Sequence, residues 1–259
     1  MRRQPRDLQD PDNLTVVAML DILGARTRDV STAQRLVEDI LRISNDLRNG
    51  ADRKRRLVVR MLPDTDFCHP ETRVFGDTIL LFWRMTHPSL VARVAYLMGE
   101  AFLEGLRRSV PLRGAIGVGQ VADGGDLLLG PGVTDVAEWY GQAEALGIIA
   151  TPRCGFVIEA LGRELRPKGD RLSDYFVRAP TRLKGIEAAV PTWNVSWPAQ
   201  LLGPGRPKAL PQERNDVLEM LWRCEMPRGT EHKYLNTLEF FDWYVAAKRA
   251  ELARPTSPP

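Results

Sequence analysis

Apolar residues recur with two different periods along this chain, and the alternation predicts its first elements. Residues 14–20 form a short β-branched run that is typical of a buried strand, and Asp21 closes the run. Apolar positions at helical spacing predict helices over residues 28–47 and 89–108. A strand is predicted over residues 57–62, so the chain begins as an alternation of strands and helices.

A glycine and an aspartate mark the turn of a predicted hairpin. Gly76 and Asp77 lie between two β-rich runs, which favours a hairpin with these residues in its turn. Residues 112–119 predict another strand, with several glycines inside it. Glycine inside a strand indicates the close approach of another backbone or a ligand. Gly124 and Gly125 predict the turn that follows.

The later elements complete the fold class. Helices are predicted over residues 131–146 and 152–161, with a short strand at residues 148–150 between them. Two late strands are predicted at residues 175–177 and 190–195. Hairpins set among alternating strands and helices predict a mixed α/β sheet that is partly antiparallel.

Changes in composition divide the chain into segments. Residues 1–13 read as a polar N-terminal arm, residues 14–197 as one domain, and residues 198–211 as a proline-rich linker. Residues 212–252 predict a helical C-terminal extension with an aromatic stripe, which is typical of a packing face. Residues 253–259 read as a disordered tail.

Composition and charge exclude several classes of function. An apolar content of 44% and a charged content of 27% are ordinary for a globular protein. No apolar run reaches the roughly 18 residues that a membrane span needs, and no secretory signal is visible. The 3 cysteines are too scattered for a disulfide framework or a zinc cluster. The scattered cysteines favour a cytoplasmic protein, and a net charge of +3 fits a nucleotide-phosphate ligand without requiring nucleic acid. We expect no nucleic-acid partner and no direct membrane insertion.

Two aspartates carry the candidate chemistry. Asp21 closes a buried strand and Asp77 lies in a strand-end turn, so on neighbouring strands they would form a hard-oxygen site for magnesium or manganese. Asp21 alone could instead cap the following helix. The turn at residues 22–26 precedes that helix, and its backbone N–H groups can cradle phosphate oxygens. These features predict metal-assisted phosphoryl chemistry.

Five motifs resemble a known family. The segments LDILGAR, RVFGDTILLFW, LRGAIGVGQV, GPGVTDVAEWYGQAEALGII and LKG…VPTWNV follow one another in the order of the class III nucleotidyl cyclase domain, over residues 14–196. MLDILG, FGDTILLFW and LRGAI most resemble the bacterial pyrimidine cyclases of Pycsar anti-phage systems. The resemblance implies an α+β fold, in which a ferredoxin-like βαββαβ core with a mixed, mostly antiparallel sheet is followed by C-terminal helices. It also implies a head-to-tail homodimer with active sites at the interface.

The same resemblance implies the catalytic groups. Two divalent cations, Mn²⁺ or Mg²⁺, are held by Asp21 and Asp77, with the backbone carbonyl of Ile22 helping. The ribose 3′-hydroxyl of a nucleoside triphosphate then attacks the α-phosphorus and releases pyrophosphate, and Arg113 is a candidate catalytic cation. The candidate phosphate-binding residues are one turn and one lysine, namely Leu23, Gly24, Ala25, Arg26 and Lys184.

Base recognition is assigned to Arg73, Leu127 and Tyr140. By the same resemblance, the position of Arg73 is Lys in adenylyl cyclases and Glu in guanylyl cyclases. A guanidinium only donates hydrogen bonds, which suits pyrimidine acceptors such as O2. Leu127 stands where adenylyl enzymes have Asp, and both positions favour a pyrimidine without separating uracil from cytosine. Tyr140 either stacks on the base or fills the core.

Three positions depart from the family pattern. Thr134 and Glu138 stand in place of the usual ribose-binding Asn and transition-state Arg, and Ile186 in place of a phosphate-binding Lys. The charge of the phosphates must then be met by Arg26, Arg113 or Lys184.

The resulting hypothesis is a uridylate cyclase that makes cyclic UMP from UTP, whose product acts on a separate cyclic-nucleotide effector in anti-phage defence. The alternatives are a cytidylate cyclase, a purine cyclase with a diverged base pocket, and a catalytically inactive nucleotide-binding module.

Overall fold

The computed structural model describes residues 14–24, 30–49, 70–123, 128–165, 172–202 and 211–253. The strands are β1 (Thr15–Ile22), β2 (Glu71–Phe75), β3 (Thr78–Arg84), β4 (Leu112–Gly119), β5 (Ala122–Asp123), β6 (Leu128–Leu129), β7 (Gly147–Ala150), β8 (Phe176–Thr181) and β9 (Val190–Val195). The helices are α1 (Val30–Asn49), α2 (Leu90–Arg107), α3 (Pro131–Trp139), α4 (Pro152–Leu165), α5 (Trp197–Leu202), α6 (Pro211–Arg223) and α7 (Glu231–Ala253).

The main sheet has seven strands in the order β2-β3-β1-β4-β7-β9-β8. Its first four strands, with α1 after β1 and α2 after β3, follow the βαββαβ order of a ferredoxin-like core. β1 pairs antiparallel with both β3 and β4, whereas β4 and β7 are parallel. The predicted α+β fold with a mixed, mostly antiparallel sheet is therefore confirmed.

The two faces of the sheet are covered unequally. Alternate side chains of β1 face a large core shared with α1 and α2, because Val16, Ala18 and Leu20 belong to one cluster with Ile40 and Phe102. The side chains between them face a smaller cluster that α3 covers through its fully buried residue Val136. Asp21 lies on this second, lightly covered face.

The glycines of β4 mark close backbone contacts, as predicted. A Cβ on Gly119 would lie 2.6 Å from the backbone nitrogen of Gly132, which is in the first turn of α3. A Cβ on Gly114 would lie 2.3 Å from the carbonyl oxygen of Met19. These glycines let α3 and β1 approach β4 more closely than a side chain would permit.

The predicted helix over residues 131–146 is wrong in its second half, because α3 ends at Trp139. Ala143 instead forms an isolated β-bridge with Leu183. The N–H of Glu144 donates to the carbonyl of Arg182 over 2.8 Å, and the N–H of Lys184 donates to the carbonyl of Gln142 over 2.9 Å. Pairing with a distant segment therefore overrides the local helical pattern.

The C-terminal helices share the main core. The predicted packing role of the aromatic stripe is confirmed by Tyr234, Phe241 and Tyr244, which are 3%, 1% and 2% exposed. The helix α5 occupies the first residues of the predicted linker, and its Trp197 packs against Phe241 with ring centroids 5.8 Å apart. No helix in the described ranges is long and apolar enough to cross a membrane.

The other predicted elements that the structure describes differ from the observed ones only at their ends. The predicted strand at residues 57–62 and the predicted turn at Gly124 and Gly125 lie outside the described residues. The division into arm, domain, linker and extension stays a prediction.

Candidate active site

An ion pair closes the end of the central strand. Asp21 lies directly opposite Arg113 on β4 and opposite Thr78 on β3. The Nε of Arg113 donates a hydrogen bond to Oδ2 of Asp21 over 2.6 Å. The two side chains are 17% and 10% exposed, so this is a largely buried pair. One carboxylate oxygen of Asp21 is thus held by the arginine, while Oδ1 is not part of this bond.

The surroundings of Asp21 disfavour its ionised form. Burial raises the pKa of the Asp21 carboxyl and outweighs the hydrogen bond and charge of Arg113, which lower it. The charge of Asp77 raises this pKa further, and the charge of Lys184 lowers it. The charges of Asp77 and Lys184 therefore both act on the Asp21 carboxyl.

A backbone hydrogen bond joins the Asp77 turn to the end of β1. The N–H of Ile22 donates to the carbonyl of Asp77 over 3.2 Å. Gly76 before it has φ +62°, which only glycine adopts easily, so the turn between β2 and β3 forms as the sequence predicts. The Asp77 side chain is half-buried at this corner.

The predicted phosphate turn is only partly described. Gly24 has φ +80°, and a Cβ there would lie 2.8 Å from Cγ of Pro227. The N–H of Leu23 donates to the carbonyl of Pro111 over 2.9 Å, so this N–H is already engaged. Ala25 and Arg26 lie outside the described residues. The phosphate-binding role of this turn stays a prediction.

Two cations converge beside the aspartates. A Cβ on Gly141 would lie 3.7 Å from Nη1 of Arg113 and 3.8 Å from Nζ of Lys184. The guanidinium of Arg113 also lies over the ring of Tyr140, with Cζ 5.8 Å from the ring centroid. The structure thus brings Asp21, Arg113, Lys184 and Tyr140 to one corner of the second face.

Arg73 lies on the same face of the sheet, one row further back. It pairs with Leu80, which pairs with Met19, two residues before Asp21. Its Nη1 donates to the carbonyl of Thr72 over 3.2 Å, and its Cζ lies 5.7 Å from the centroid of the Phe82 ring. Leu127, the other predicted base contact, is outside the described residues.

Sequence reasoning missed a polar cluster beside these cations. Glu144 accepts a hydrogen bond from Nζ of Lys233 over 2.5 Å, and its Oε2 lies 2.7 Å from Nε2 of His232. Lys233 is only 5% exposed, although it lies near the start of α7. A cation in the first turn opposes the helix dipole, so a lysine there should have indicated a nearby carboxylate.

Burial and hydrogen bonding act in opposite directions on Glu144. Burial favours its neutral form, but the hydrogen bonds and charges of Lys233 and His232 outweigh it and hold the pKa of Glu144 below its usual range. Burial lowers the pKa of Lys233 despite the bond to Glu144, and the charges of Arg113 and Lys184 lower it further. The charges of Arg113 and Lys184, which lie at the corner that holds Asp21, therefore also act on this cluster.

The available donors fit a metal ion that arrives with a phosphate ligand. Among the residues that the structure describes, no group of three or more His, Cys, Asp or Glu side chains could hold a metal. Asp21, Asp77 and the Ile22 carbonyl nevertheless supply hard oxygens. Mg²⁺ typically takes only one or two carboxylates and fills its other positions with waters and substrate phosphates. The chemistry of this donor set matches that pattern.

Comparisons with known proteins add one finding. No protein-family model matches the chain, and no curated protein matches it. Among solved structures, the chain is similar to the adenylyl cyclase CyaB from P. aeruginosa, at 13% sequence identity and a TM-score of 0.39. The alignment covers 70% of this chain and 93% of that chain. A likeness of this size carries no conclusion about activity, which has to come from the residues of the site.

Proposed function

We propose that this chain is a nucleotidyl cyclase that converts UTP into 3′,5′-cyclic UMP and pyrophosphate. The observation that carries the proposal is the convergence of Asp21, the Asp77 turn, Arg113 and Lys184 at one corner of the sheet. Two carboxylates beside two cations are the groups that metal-assisted phosphoryl transfer requires. The five cyclase-like motifs, in their order, support the same reaction.

The carboxylates and the cations of the site have separate roles in the proposed reaction. Asp21 and Asp77, with the Ile22 carbonyl, would hold one or two divalent cations, Mn²⁺ or Mg²⁺. When bound, these ions would polarise the α-phosphate and favour ionisation of the ribose 3′-hydroxyl. Arg113 orients the Asp21 carboxylate through its 2.6 Å hydrogen bond. The free N–H groups of its guanidinium and the ammonium of Lys184 offset the charge of the leaving pyrophosphate.

The choice of a pyrimidine rests on Arg73. Its guanidinium can donate to the O2 of a pyrimidine but cannot accept from the donor edge of guanine. Its place on the same face as Asp21 supports a role in base recognition. The donors of Arg73 serve uracil and cytosine alike, so cyclic CMP from CTP is the second product to test.

An exposed aromatic residue lies in line with the candidate site. Phe75 is 60% exposed and lies in the same row across the sheet as Thr78 and Asp21. Aromatic residues are enriched at protein–protein interfaces. We propose that a second copy of the chain covers this row in a homodimer and completes the base and transition-state contacts. The cyclic product would then act on a separate effector in anti-phage defence.

One assay tests this function. Purified protein is incubated with each of the four ribonucleoside triphosphates and Mn²⁺, and the products are separated by mass spectrometry. We expect cyclic UMP from the wild type and none from Asp77→Ala, which keeps the backbone carbonyl that binds Ile22. Cyclic CMP or a cyclic purine as the sole product would overturn the uracil assignment. A folded protein that binds triphosphates without making any cyclic product would be an inactive nucleotide-binding module.

A further inference from the structure

The first turns of α7 hold the segment between α3 and β7. The side-chain amide of Asn236 donates to the carbonyl of Glu144 over 2.5 Å. The N–H of Leu146 donates to the hydroxyl of Thr237 over 2.8 Å. Lys233 adds its bond to the Glu144 carboxylate, so three residues in the first turns of α7 bind one short segment.

That segment in turn holds the lysine of the site. Backbone bonds join Gln142 to Lys184 and Glu144 to Arg182, so residues 142–144 and 182–184 form a small two-stranded pairing. Gly141, next to this pairing, is where Arg113 and Lys184 converge. A continuous set of contacts therefore runs from α7 to both cations beside Asp21.

Three cations lie near one another at this end of α7. Lys233, Arg113 and Lys184 lie close enough for each of the other two charges to act on Lys233. The side chain of Lys233 is only 6% exposed, and Glu144 is the carboxylate that it binds. Arg113 and Lys184 are the two cations that converge at Gly141, and guanidinium and ammonium groups bind multiply charged anions through charge-assisted hydrogen bonds. The charge and spacing suit the pyrophosphate end of a nucleoside triphosphate.

We propose that Lys233 and Glu144 form a positioning pair through which α7 sets the two phosphate-binding cations, Arg113 and Lys184. The identity of the anion as pyrophosphate rests on the proposed function. Lys233 itself stays bonded to Glu144 and does not touch the reacting atoms. The C-terminal helices are in this way part of the phosphate site, although the cyclase-like motifs end before them.

The test compares two lysines of the same helix. Lys248 also lies on α7 and is 11% exposed, but its ion pair is with Asp174, away from the site. We expect Lys233→Met to weaken the binding of inorganic pyrophosphate, measured by titration calorimetry, by about tenfold. The KM for UTP should rise by a similar factor with a smaller change in kcat. Lys248→Met should leave both values unchanged.

A paired variant separates positioning from stability. Lys233→Met with Glu144→Gln leaves no buried charge without a partner, so thermal stability should recover relative to Lys233→Met alone. Pyrophosphate affinity should stay low, because the bond between Lys233 and the Glu144 carboxylate is still absent while those of Asn236 and Thr237 remain. Recovery of both quantities together would show that Lys233 acts through stability alone, and would overturn the proposal.

The remaining outcomes distinguish the two proposals. Equal effects of Lys233→Met and Lys248→Met, or no loss of affinity in Lys233→Met, overturn the positioning role while leaving cyclase activity intact. A wild type whose pyrophosphate affinity depends on Lys233, but that makes no cyclic nucleotide, overturns the enzyme assignment and supports the positioning role. A wild type that binds no pyrophosphate overturns the positioning role directly.

Discussion

Arg113 and Asp21 face each other across two antiparallel strands, and Nε of Arg113 donates to Oδ2 of Asp21 over 2.6 Å. The bond joins the candidate metal ligand to the candidate phosphate cation before any substrate is present. It also places a charged pair at a largely buried position, where the loss of one partner is costly. Stability and activity should therefore respond together to a change at either residue.

The first prediction concerns this pair. Arg113→Ala should lower the free energy of unfolding by about 3 kcal/mol, because it leaves the Asp21 carboxylate buried without its partner. Urea denaturation measures the change. Arg178→Ala is the matched control, since Arg178 is also a strand arginine but its 4.0 Å ion pair with Glu159 is exposed.

The double variant Arg113→Ala with Asp21→Asn extends this prediction. Removing both charges should restore most of the unfolding free energy lost in Arg113→Ala, but no cyclase activity. Equal stabilities of Arg113→Ala and wild type would contradict the buried pair.

The second prediction concerns the pH dependence of stability at Glu144. Its folded-state pKa lies below the ordinary value of 4.5, because the bonds from Lys233 and His232 outweigh the effect of burial. The stabilisation is therefore fully present above pH 4.5 and is lost as the pH falls through the lowered pKa. Glu144→Gln should be less stable than wild type by about 1–2 kcal/mol at neutral pH, and this difference should shrink in acid.

Chemical denaturation at a series of pH values tests that difference. Glu219→Gln is the control, because Glu219 pairs with Arg223 on the surface of α6, with both side chains more than half exposed. We expect no pH-dependent difference for it. A constant difference between wild type and Glu144→Gln at every pH would show that ionisation of Glu144 does not contribute.

The third prediction concerns the packing of the C-terminal helices. Trp197 is 1% exposed and lies between Phe102 of α2 and Phe241 of α7. Trp197→Ala should cost about 3–5 kcal/mol of unfolding free energy, the range for truncation of a large buried aromatic. Trp222, 78% exposed on α6, is the matched control, and its replacement by alanine should change stability by less than about 0.5 kcal/mol.

A single cooperative transition is expected for the wild type, because one core joins the sheet and the C-terminal helices. Two separated transitions, with only the second affected by Trp197→Ala, would indicate that the helices fold as an independent unit.

The fourth prediction concerns the dimer. Phe75→Glu places a charge in the proposed interface row, so the variant should sediment as a monomer and lose cyclase activity. Phe156 is 72% exposed on α4, and Phe156→Glu should keep both the dimer and its activity. Specific activity of the wild type should also fall on dilution. Activity retained by a proven monomer would exclude a shared site.

Local patterns in the sequence were enough to predict much of the fold. The apolar run before Asp21 and the Gly76 turn depend on neighbouring residues, and both were predicted where the structure has them. The end of α3 was missed because Ala143 pairs with Leu183, far along the chain. Periodicity cannot report such a contact.

The same distinction explains the candidate site. Asp21 and Asp77 can be singled out from the sequence because Asp21 closes an apolar run and Asp77 lies in a glycine turn. The pairing of Lys233 with Glu144 was missed because their contact joins α7 to a segment far before it in the chain. A lysine in the first turn of a helix was the one available sign, and it does not identify the partner.

The hydrogen bond between Asn236 and Glu144 spans 92 residues of chain, and its neighbour at Thr237 spans 91. During synthesis, every strand of the sheet is complete before the helix that holds Lys184 in place has been made. A nascent chain can thus pair its strands and bring Asp21 to the Asp77 turn before the contacts between α7 and the segment that contains Glu144 have formed. Contacts between residues far apart in the chain form slowly during folding. The candidate site is therefore complete only after α7 has been synthesised and has packed against the segment that contains Glu144.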